Sequence, residues 1–338
     1  MKKQLRAAVI GCGRIASLFA ADKKRRYVAT HAQGYLRNPD TRLVAACDID
    51  AERLAAFGKQ WKINRLYTDA KALFAKERPD LVSICTPPAS HGGLVQLAAR
   101  MGVRGIICEK PLSVSLPEAR RIVGCVRQKG VHCAVNYTRR YLELFCKVQA
   151  MIRRGDLGRI QGVSCYYSAG VFNTGTHLFD YLRMFFGEVD WVWADPNAAG
   201  TKADPEISGY LHFKQGFGCT LQSLEVKPYL LFEADIFGTQ KRLRMVASST
   251  AAEIWETRDH PMFSGYRELL FKKRLEGSLA EGIPSLIRDM VRSLRRGQAP
   301  ACSAEDGYRS LEIASALCRS LRTRKRVSLP LSGRRLDV

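Results

Sequence analysis

The sequence lacks the patterns that mark a metal site, a membrane span or a disordered protein. It has no CxxC pair, no Cys/His cluster with zinc-like spacing, no low-complexity tract and no internal repeat. No apolar stretch is long enough to cross a bilayer. The chain starts with Met1-Lys2-Lys3 and then apolar residues, as a signal peptide does, but Arg6 and Arg14 interrupt that short run. Neither a structural metal nor a membrane location is expected.

Disulfides are not expected either, although the chain has eleven cysteines. The number is odd, and Cys12, Cys47, Cys85 and Cys108 lie in or beside apolar runs, where cysteine behaves as a small hydrophobic residue. These features predict a reducing compartment, and we expect the protein to be cytoplasmic.

Acidic residues are scarce: 32 Asp and Glu stand against 54 Lys and Arg, for a formal net charge of +22. Such a charge favours anionic partners, among them nucleotides, acidic sugars, nucleic acid and acidic membranes. The basic doublets are spread along the whole chain, however. The dense runs at 23–26 and 322–326 have no interleaved aromatic residues, as a single-strand binding surface would require. A solvated basic surface is the better interpretation, and no nucleic-acid role is predicted.

The first part of the chain alternates short apolar strands with helical patterns. This order predicts a parallel sheet with helices on both faces, that is, a doubly wound α/β Rossmann domain spanning residues 1–134. The predicted strands are Ala7–Ile10, Leu43–Cys47, Leu81–Cys85, Gly105–Cys108 and His132–Val135. The predicted helices are Ala51–Phe57, Ala70–Lys76, Leu94–Arg100 and Pro117–Gln128.

The pattern changes after about residue 135. Several strands follow one another without helices between them, which predicts an α+β domain with a large, mostly antiparallel sheet over residues 135–338. Phe213–Phe217 is typical of a hairpin turn, and Ser303 is suited to cap a last helix. Helices are also predicted at 142–154 and 177–186. A cleft between the two domains is the expected ligand site.

A glycine-rich segment, residues 11–16, follows the first predicted strand and opens a helix. Its G-x-G-x-x-A pattern is that of a dinucleotide-binding loop, in which the glycines permit a tight turn and close approach to a pyrophosphate. The pattern alone is weak, because glycine turns are common in α/β proteins. Its position after the first strand strengthens it. The candidate cofactor-binding residues here are Gly11, Cys12, Gly13, Arg14 and Ile15.

The end of the second predicted strand indicates which dinucleotide is bound. Asp48 follows Cys47 there, and a carboxylate at this point accepts ribose hydroxyls and repels a 2′-phosphate, so NAD is favoured over NADP. The segment from Ala20 to Pro39 is an enlarged helix–loop that contains Lys23–Arg26. Because those basic side chains could accommodate a phosphate, NADP stays open as an alternative.

Two further segments leave strand ends at the edge of the predicted sheet where ligands bind. Thr86, Pro87 and His91 belong to the first, which can also be read as a proline-stiffened loop with an incidental histidine. Glu109 and Lys110 belong to the second. Packing does not explain a Glu-Lys pair at this edge, although a surface ion pair is the alternative. All five residues are candidates for contact with the cofactor.

The ordered set of motifs resembles the glucose–fructose oxidoreductase/inositol dehydrogenase (Gfo/Idh/MocA) family over nearly the whole chain. The motifs that carry the resemblance are Gly11–Ala16, Cys47-Asp48, Thr86–His91, Glu109-Lys110-Pro111, Asn136–Tyr141, Gly175–Asp180 and Ser303–Gly307. The resemblance implies an NAD(P)-dependent oxidoreductase that transfers hydride between nicotinamide and a secondary hydroxyl of a sugar, cyclitol or nucleotide sugar. It also implies a homo-oligomer, a dimer or tetramer, formed through the open face of the second domain's sheet.

The resemblance also assigns roles to particular residues. Lys110 is expected beside the nicotinamide and the reacting hydroxyl, and His177 is expected to serve as the acid/base. A histidine suits proton transfer near neutral pH, and a lysine ammonium stabilises the developing alkoxide. Asn136 and Arg139 are expected to contact the substrate, and Arg139-Arg140 favour an anionic one.

One position departs from the family pattern. Asn173 stands four residues before His177, where the common pattern has an aspartate. Asparagine can bind substrate or orient the histidine, but it cannot raise the basicity of the imidazole as a carboxylate does. Asn173 therefore supports two hypotheses: a branch that acts on nucleotide-linked acidic sugars, or a sensor that binds the cofactor with reduced catalysis. Asp180, one turn after His177, either orients that ring or lies on the helix surface.

Overall fold

The computed structural model describes residues 3–197, 199–201, 203–225 and 228–331. The described chain forms two compact units. The first runs to Tyr141 and also includes Ala280–Tyr308. The second comprises Leu142–Leu279 and the described residues from Arg309 to Leu331.

The first unit is built on a six-stranded, all-parallel sheet with the strand order β3-β2-β1-β4-β5-β6. Its central strands are buried on both faces, which explains their continuous apolar runs. The predicted Rossmann fold is confirmed, with one short strand that the sequence analysis missed, β3. The strands are β1 (Leu5–Ile10), β2 (Thr41–Cys47), β3 (Leu66–Tyr67), β4 (Leu81–Ile84), β5 (Gly105–Cys108) and β6 (His132–Val135).

Helices connect these strands, and side-chain caps fix where several of them begin. The carboxylates of Asp50 and Asp69 accept the backbone N–H of Arg53 and Ala72, each in the first turn of the following helix. The helices are α1 (His31–Arg37), α2 (Ala51–Trp61), α3 (Ala70–Glu77), α4 (His91–Arg100) and α5 (Leu116–Gln128).

The second unit contains a nine-stranded sheet in the order β16-β15-β14-β13-β7-β12-β11-β8-β17. Neighbouring strands are antiparallel except for β7 and β12, which are parallel, so the predicted, mostly antiparallel sheet is confirmed. The nine strands are β7 (Ile160–Ser168), β8 (Val189–Ala194), β11 (Gly209–Phe213), β12 (Gly218–Leu224), β13 (Phe232–Gly238), β14 (Lys241–Val246), β15 (Ala251–Asp259), β16 (Arg267–Glu276) and β17 (Val327–Ser328). Two short strands, β9 (Ala199–Gly200) and β10 (Pro205–Glu206), pair with each other in a separate small sheet.

The hairpin predicted at Phe213–Phe217 joins β11 to β12. The N–H of Phe213 donates to the carbonyl of Phe217 at 3.0 Å, and Gly216 takes a φ of +87°, a conformation that favours glycine.

Four more helices complete the described chain: α6 (Glu143–Arg153), α7 (Thr176–Phe186), α8 (Gly282–Arg296) and α9 (Ala304–Thr323). Ser303 caps α9 as predicted, because its hydroxyl accepts the N–H of Asp306 while its own N–H donates to the Asp306 carboxylate. None of the helices in the described ranges has the length and apolar content needed to span a membrane.

Candidate active site

The glycine loop follows β1, and its first glycine is required by the backbone. Gly11 has a φ of +85°, and a Cβ there would lie 2.8–2.9 Å from atoms of Thr86 and Cys85. The Gly11 N–H donates to the carbonyl of Cys47 at 2.8 Å, which ties the loop to the end of β2. The loop is therefore held tightly between the ends of β2 and β4.

The second glycine faces open space. A Cβ added to Gly13 would meet no heavy atom within 4 Å, although the residue lies in a turn that is otherwise packed. In the described part of the chain, no acceptor is found for the N–H groups of Gly13, Arg14 and Ile15. Room above a glycine and outward-facing N–H donors at the start of a helical turn are what a pyrophosphate needs. The loop fits a dinucleotide on these grounds.

Asp48 links the glycine loop to the start of α2. It is 5% exposed, and its carboxylate accepts the N–H of Cys12 at 2.7 Å and the N–H of Asp50 at 2.9 Å. The guanidinium of Arg53 lies 3.6 Å from the same carboxylate and 2.9 Å from that of Asp50. Two carboxylates thus face one arginine at the end of β2.

Cys12 itself is not a reactive thiol. Burial, followed by the nearby Asp48 carboxylate, raises the pKa of its thiol far above the ordinary value. Its contribution to the loop is its backbone N–H, which donates to the Asp48 carboxylate.

A basic excursion, residues 17–30, interrupts the helix that the glycine loop opens. The N–H groups of His31 and Ala32 donate to the carbonyls of Ile15 and Ala16, so the start of α1 is joined directly to the turn that the glycine loop forms. The ring of Phe19, in the excursion, lies between two guanidiniums: that of Arg14 from the glycine loop is 4.8 Å from the ring centre, and that of Arg25 from the excursion is 3.9 Å from it. The enlarged loop expected here is thus an insertion after the first helical turn.

The Thr86–His91 segment is held by the histidine. His91 is fully buried, and its two ring nitrogens lie 2.9 and 3.0 Å from the backbone carbonyls of Thr86 and Pro111. Those two carbonyls belong to the loops that leave β4 and β5. The His91 ring therefore links the two loops that carry the candidate cofactor residues.

Glu109 leaves β5 and is fixed from two sides. Its Oε1 lies 2.8 Å from Nε2 of His31 and accepts the side-chain N–H of Asn136 at 2.6 Å. Burial alone would raise the pKa of the Glu109 carboxyl. The hydrogen bonds from His31 and Asn136 and the neighbouring Lys110 ammonium outweigh burial and hold that pKa below its usual range.

The partner of Glu109 was missed by the sequence analysis, which assigned no function to His31. His31 is 78 residues away in the chain and fully buried at the start of α1. Its only sequence signal was a histidine beside a helix N-cap, Thr30, and nothing in that pattern points to Glu109.

Asn136 and Arg139 follow β6. Asn136 is 2% exposed and bridges Glu109 to the hydroxyl of Thr138, which donates to its Oδ1 at 3.1 Å. Arg139 lies in the following short helical turn. Its neighbour Arg140 binds Asp306 and the carbonyl of Ala301, so Arg140 stabilises the first unit.

In the second unit, a π-helical turn at Gly170–Gly175 leads into α7 and carries Asn173. The carboxylate of Asp204 accepts the N–H groups of Phe172 and Asn173 at 2.7 and 3.2 Å. The sequence analysis found no sign of this role for Asp204, because no local pattern connects it to Phe172 and Asn173, which precede it by more than 30 positions. Asn173 is exposed, and His177 is half-buried in the first turn of α7.

Asp180 is fully buried and accepts the hydroxyl of Ser310 at 3.5 Å. The alternative in which Asp180 lies on the helix surface is therefore wrong.

Within the first unit, the structure brings together the candidates from five different strand ends. The glycine loop, Asp48, Thr86, Glu109 and Asn136 follow β1, β2, β4, β5 and β6, and parallel strands end at one edge of the sheet. Asn173 and His177 lie in the second unit, four residues apart.

Two family profiles cover most of the chain. Residues 5–137 match one described as an oxidoreductase family with an NAD-binding Rossmann fold, and residues 168–329 match that family's C-terminal α/β domain. In the part of the chain that the structure describes, no group of three or more His, Cys, Asp or Glu side chains is placed to hold a metal ion.

Named relatives resemble the chain over nearly its full length. A D-apiose dehydrogenase from Paraburkholderia graminis is 27% identical, with 97% of this chain and 90% of the relative covered. A myo-inositol 2-dehydrogenase from Thermotoga maritima is 25% identical, with 96% and 98% covered. The WlbA dehydrogenase of Bordetella pertussis, solved with NADH and UDP-GlcNAcA, has a TM-score of 0.77 at 21% identity, with 98% and 100% covered.

Proposed function

This chain belongs to the Gfo/Idh/MocA oxidoreductase family, and on that basis we propose that it transfers hydride between NAD and a secondary hydroxyl group of a sugar, cyclitol or nucleotide sugar. It is a dehydrogenase that acts on CH–OH groups. The observation that carries the proposal is that His31 and Asn136 fix Glu109, the residue before Lys110, at the same sheet edge as the open glycine loop.

The proposed chemistry divides between two side chains. His177 takes the proton of the reacting hydroxyl, and the Lys110 ammonium stabilises the negative charge that develops on its oxygen. When bound, the nicotinamide ring accepts the hydride. Asn173 orients the substrate or the imidazole. The Asp204 carboxylate accepts the backbone N–H of Asn173 and so helps to hold this residue in place.

The proposed cofactor site uses the backbone of Gly11–Ile15 for the pyrophosphate and Asp48 for the adenosine ribose. The buried Asp48 carboxylate uses two acceptor positions on Cys12 and Asp50, and a carboxylate offers about four. Thr86, Pro87, Glu109 and Lys110 line the nicotinamide half, and His91 holds their two loops. The carboxylates of Asp48 and Asp50 beside Arg53 favour NAD, and the Lys23–Arg26 run is the feature that would favour NADP.

The substrate is proposed to contact Lys110, Asn136, Arg139, Asn173 and His177. The pentose, cyclitol and nucleotide-sugar names of the relatives define the panel to be tested. The net charge of +22 and Arg139 favour an anionic member of that panel.

We further propose that the chain has a cofactor domain and a substrate-binding and oligomerisation domain, with sequence-based bounds of 1–134 and 135–338; the first compact unit runs on to Tyr141 and also includes Ala280–Tyr308. A homo-oligomer and a cytoplasmic location complete the proposal. All eleven cysteines lie in described ranges and none forms a disulfide, which is consistent with a reducing compartment.

The test is NADH formation with D-apiose, myo-inositol and UDP-GlcNAcA, followed by variants on the best substrate. Lys110→Met is expected to lower kcat by about 10²–10³-fold, because one charge-stabilising donor is lost. His177→Gln should lower it similarly. Lys129→Met, in the same unit after α5, is the matched control and should turn over like the wild type. A Lys110→Met enzyme with wild-type kcat would contradict the proposed chemistry.

The sensor hypothesis rests on Asn173 and gives a different result in the same assays. Tight NADH binding without turnover of any substrate in the panel would favour it. An Asn173→Asp variant that gained dehydrogenase activity would then show that the lost carboxylate is the reason.

A further inference from the structure

A buried chain of hydrogen bonds runs from α1 through β4 to the end of β5. The hydroxyl oxygens of Tyr35 and Ser83 lie 2.5 Å apart, and Ser83 Oγ lies 2.8 Å from Nδ1 of His31. The other ring nitrogen, Nε2, lies 2.8 Å from Glu109 Oε1. Tyr35, Ser83 and His31 are each fully buried, and the Glu109 side chain is 12% exposed.

The direction of each hydrogen bond follows from which groups can donate. An ionised Glu109 only accepts, so His31 must donate from Nε2. Nδ1 is then the acceptor for the Ser83 hydroxyl, whose oxygen accepts the Tyr35 hydroxyl. Every bond is made in this arrangement. A ring protonated on both nitrogens would instead donate to Ser83 from Nδ1, and one of the two hydroxyl hydrogens, that of Ser83 or that of Tyr35, would then have no acceptor within this chain of hydrogen bonds.

Tyr35 remains a donor at the end of this chain. Burial raises the pKa of its hydroxyl well beyond the ordinary value and outweighs the opposing effect of its bond to Ser83.

Glu109 meets few other charged or titratable groups. Lys110 follows it, and the thiols of Cys85 on the β4 side and Cys108 on β5 face it. Burial raises the pKa of both thiols, so they stay neutral. His31, Asn136 and Lys110 are therefore the groups that keep the buried carboxylate charged.

We propose that His31 is a positioning residue of the dehydrogenase, which holds Glu109 as a fixed carboxylate beside Lys110 and is itself oriented by Ser83 and Tyr35. The proposal rests on the role proposed for Lys110. His31 touches neither cofactor nor substrate in this account. It acts through Glu109, one peptide bond from the lysine.

The test compares His31→Leu and His31→Gln across a pH–rate profile. Leucine removes the donor, so burial should dominate, the pKa of Glu109 should rise, and kcat at pH 6 should fall by about 10²-fold, as expected for a displaced catalytic group. Raising the pH to 9 favours the ionised carboxylate again, so most of the loss should be recovered there. The Gln amide can donate where Nε2 did, so His31→Gln should recover activity at pH 6.

Glu109→Gln separates charge from geometry. It keeps an acceptor for His31 but loses the carboxylate, so its kcat should be low and no longer recover at high pH. His132→Leu is the control: His132 lies in the same unit but takes no part in this chain of hydrogen bonds, so the variant should keep the wild-type pH profile. Equal losses for His31→Leu at every pH, or no rescue by His31→Gln, would reduce His31 to a packing role and overturn the proposal.

A spectroscopic measurement keeps this inference separate from the proposed function. In protein labelled with ¹⁵N-histidine, and assigned by the resonance lost in His31→Gln, His31 should carry its proton on Nε2, with Nδ1 unprotonated. Ser83→Ala should shift that Nδ1 resonance. If the wild type oxidises no substrate, the proposed function fails while this result still stands. A proton on Nδ1 would refute the arrangement whatever the activity.

Discussion

Two glycines of the same loop serve different purposes. Gly11 is required by the fold, because its φ of +85° and the 2.8–2.9 Å approach of Thr86 and Cys85 leave no place for a side chain. Gly13 is under no such constraint, since the space beside it is open. A glycine that the fold does not need, at the start of a helical turn, is explained by a ligand that comes close to the backbone.

Substituting each of these two glycines should therefore affect a different property, either stability or NADH binding. Gly13→Ala should leave the thermal midpoint of the apoprotein within about 2 °C, because surface substitutions away from strained positions change stability little. It should weaken NADH binding by about tenfold or more, since the methyl group occupies the ligand's space. Gly11→Ala should instead destabilise the apoprotein. Calorimetry and fluorescence titration with NADH measure both quantities.

Unchanged NADH affinity in Gly13→Ala would mean that the pyrophosphate does not approach this glycine. A large loss of stability in the same variant would show that the space beside it is not open in solution.

At the scale of the elements, Glu77 ties the end of α3 to two strands of the parallel sheet. Its buried carboxylate accepts from Arg6 at 3.0 Å, Arg65 at 2.5 Å and the Tyr67 hydroxyl at 2.6 Å. Burial raises the pKa of Glu77, but the bonds from Tyr67 and Arg65 outweigh it, and the net pKa lies below the ordinary 4.5. The contribution to stability is thus present above pH 4.5 and is lost as the pH falls through the lowered value.

Glu77→Gln should lower the free energy of unfolding of the first unit by about 2 kcal/mol at pH 7, the scale of hydrogen bonds to a buried charge. The difference from wild type should begin to shrink below pH 4.5 and vanish as the pH falls through the lowered pKa, where the wild-type carboxyl of the folded protein becomes neutral. Urea unfolding at pH 7 and pH 4 measures it. Glu52→Gln, exposed on α2, is the control. A difference that stayed constant with pH would show that the charge of Glu77 is not involved.

At the scale of the whole molecule, one face of the nine-stranded sheet presents partly exposed side chains. The strand registers align a row of residues across eight strands, with aromatic residues at one end and alternating charges at the other. The row is Trp193, Tyr210, Thr220, Ser164, Asp235, Arg244, Glu253 and Arg274, and within it Asp235 alone is buried. Arg244 pairs with both Asp235 and Glu253, and Trp193 is 39% exposed. Such a face suits the association expected of the family.

Trp193→Glu is therefore expected to convert the proposed oligomer to a monomer, because it places a charge at the aromatic end of that face. Light scattering after size-exclusion chromatography measures the mass, and NADH binding by the first unit should be retained. Phe263→Glu is the matched control, since Phe263 is 57% exposed at the β15–β16 turn and outside the row. A wild-type monomer, or an oligomer that survives Trp193→Glu, would refute this assignment.

The largest gap in the sequence-based predictions is the segment from 247 to 302, where no element was assigned. It contains β15, β16 and α8. Strand β16 is exposed along most of its length at the edge of the sheet, so its sequence has no alternation of apolar and polar residues. Helix α8 packs against α1, where a Cβ on Gly34 would lie 2.5–2.8 Å from Ile287 and Ile283. That contact joins residues about 250 positions apart and leaves no local signal.

The sequence by itself determined the Rossmann unit, the kind of sheet in the second unit and the family, because strand periodicity, glycine turns and short motifs are local properties of the chain. Only the tertiary structure decided what holds the motif residues: His31 against Glu109, Asp48 against Cys12, and Asp204 beneath Asn173. Each of these contacts joins residues at least 31 positions apart, and a hydrogen bond between distant residues exists only once the packed strands and helices have brought its donor and acceptor together.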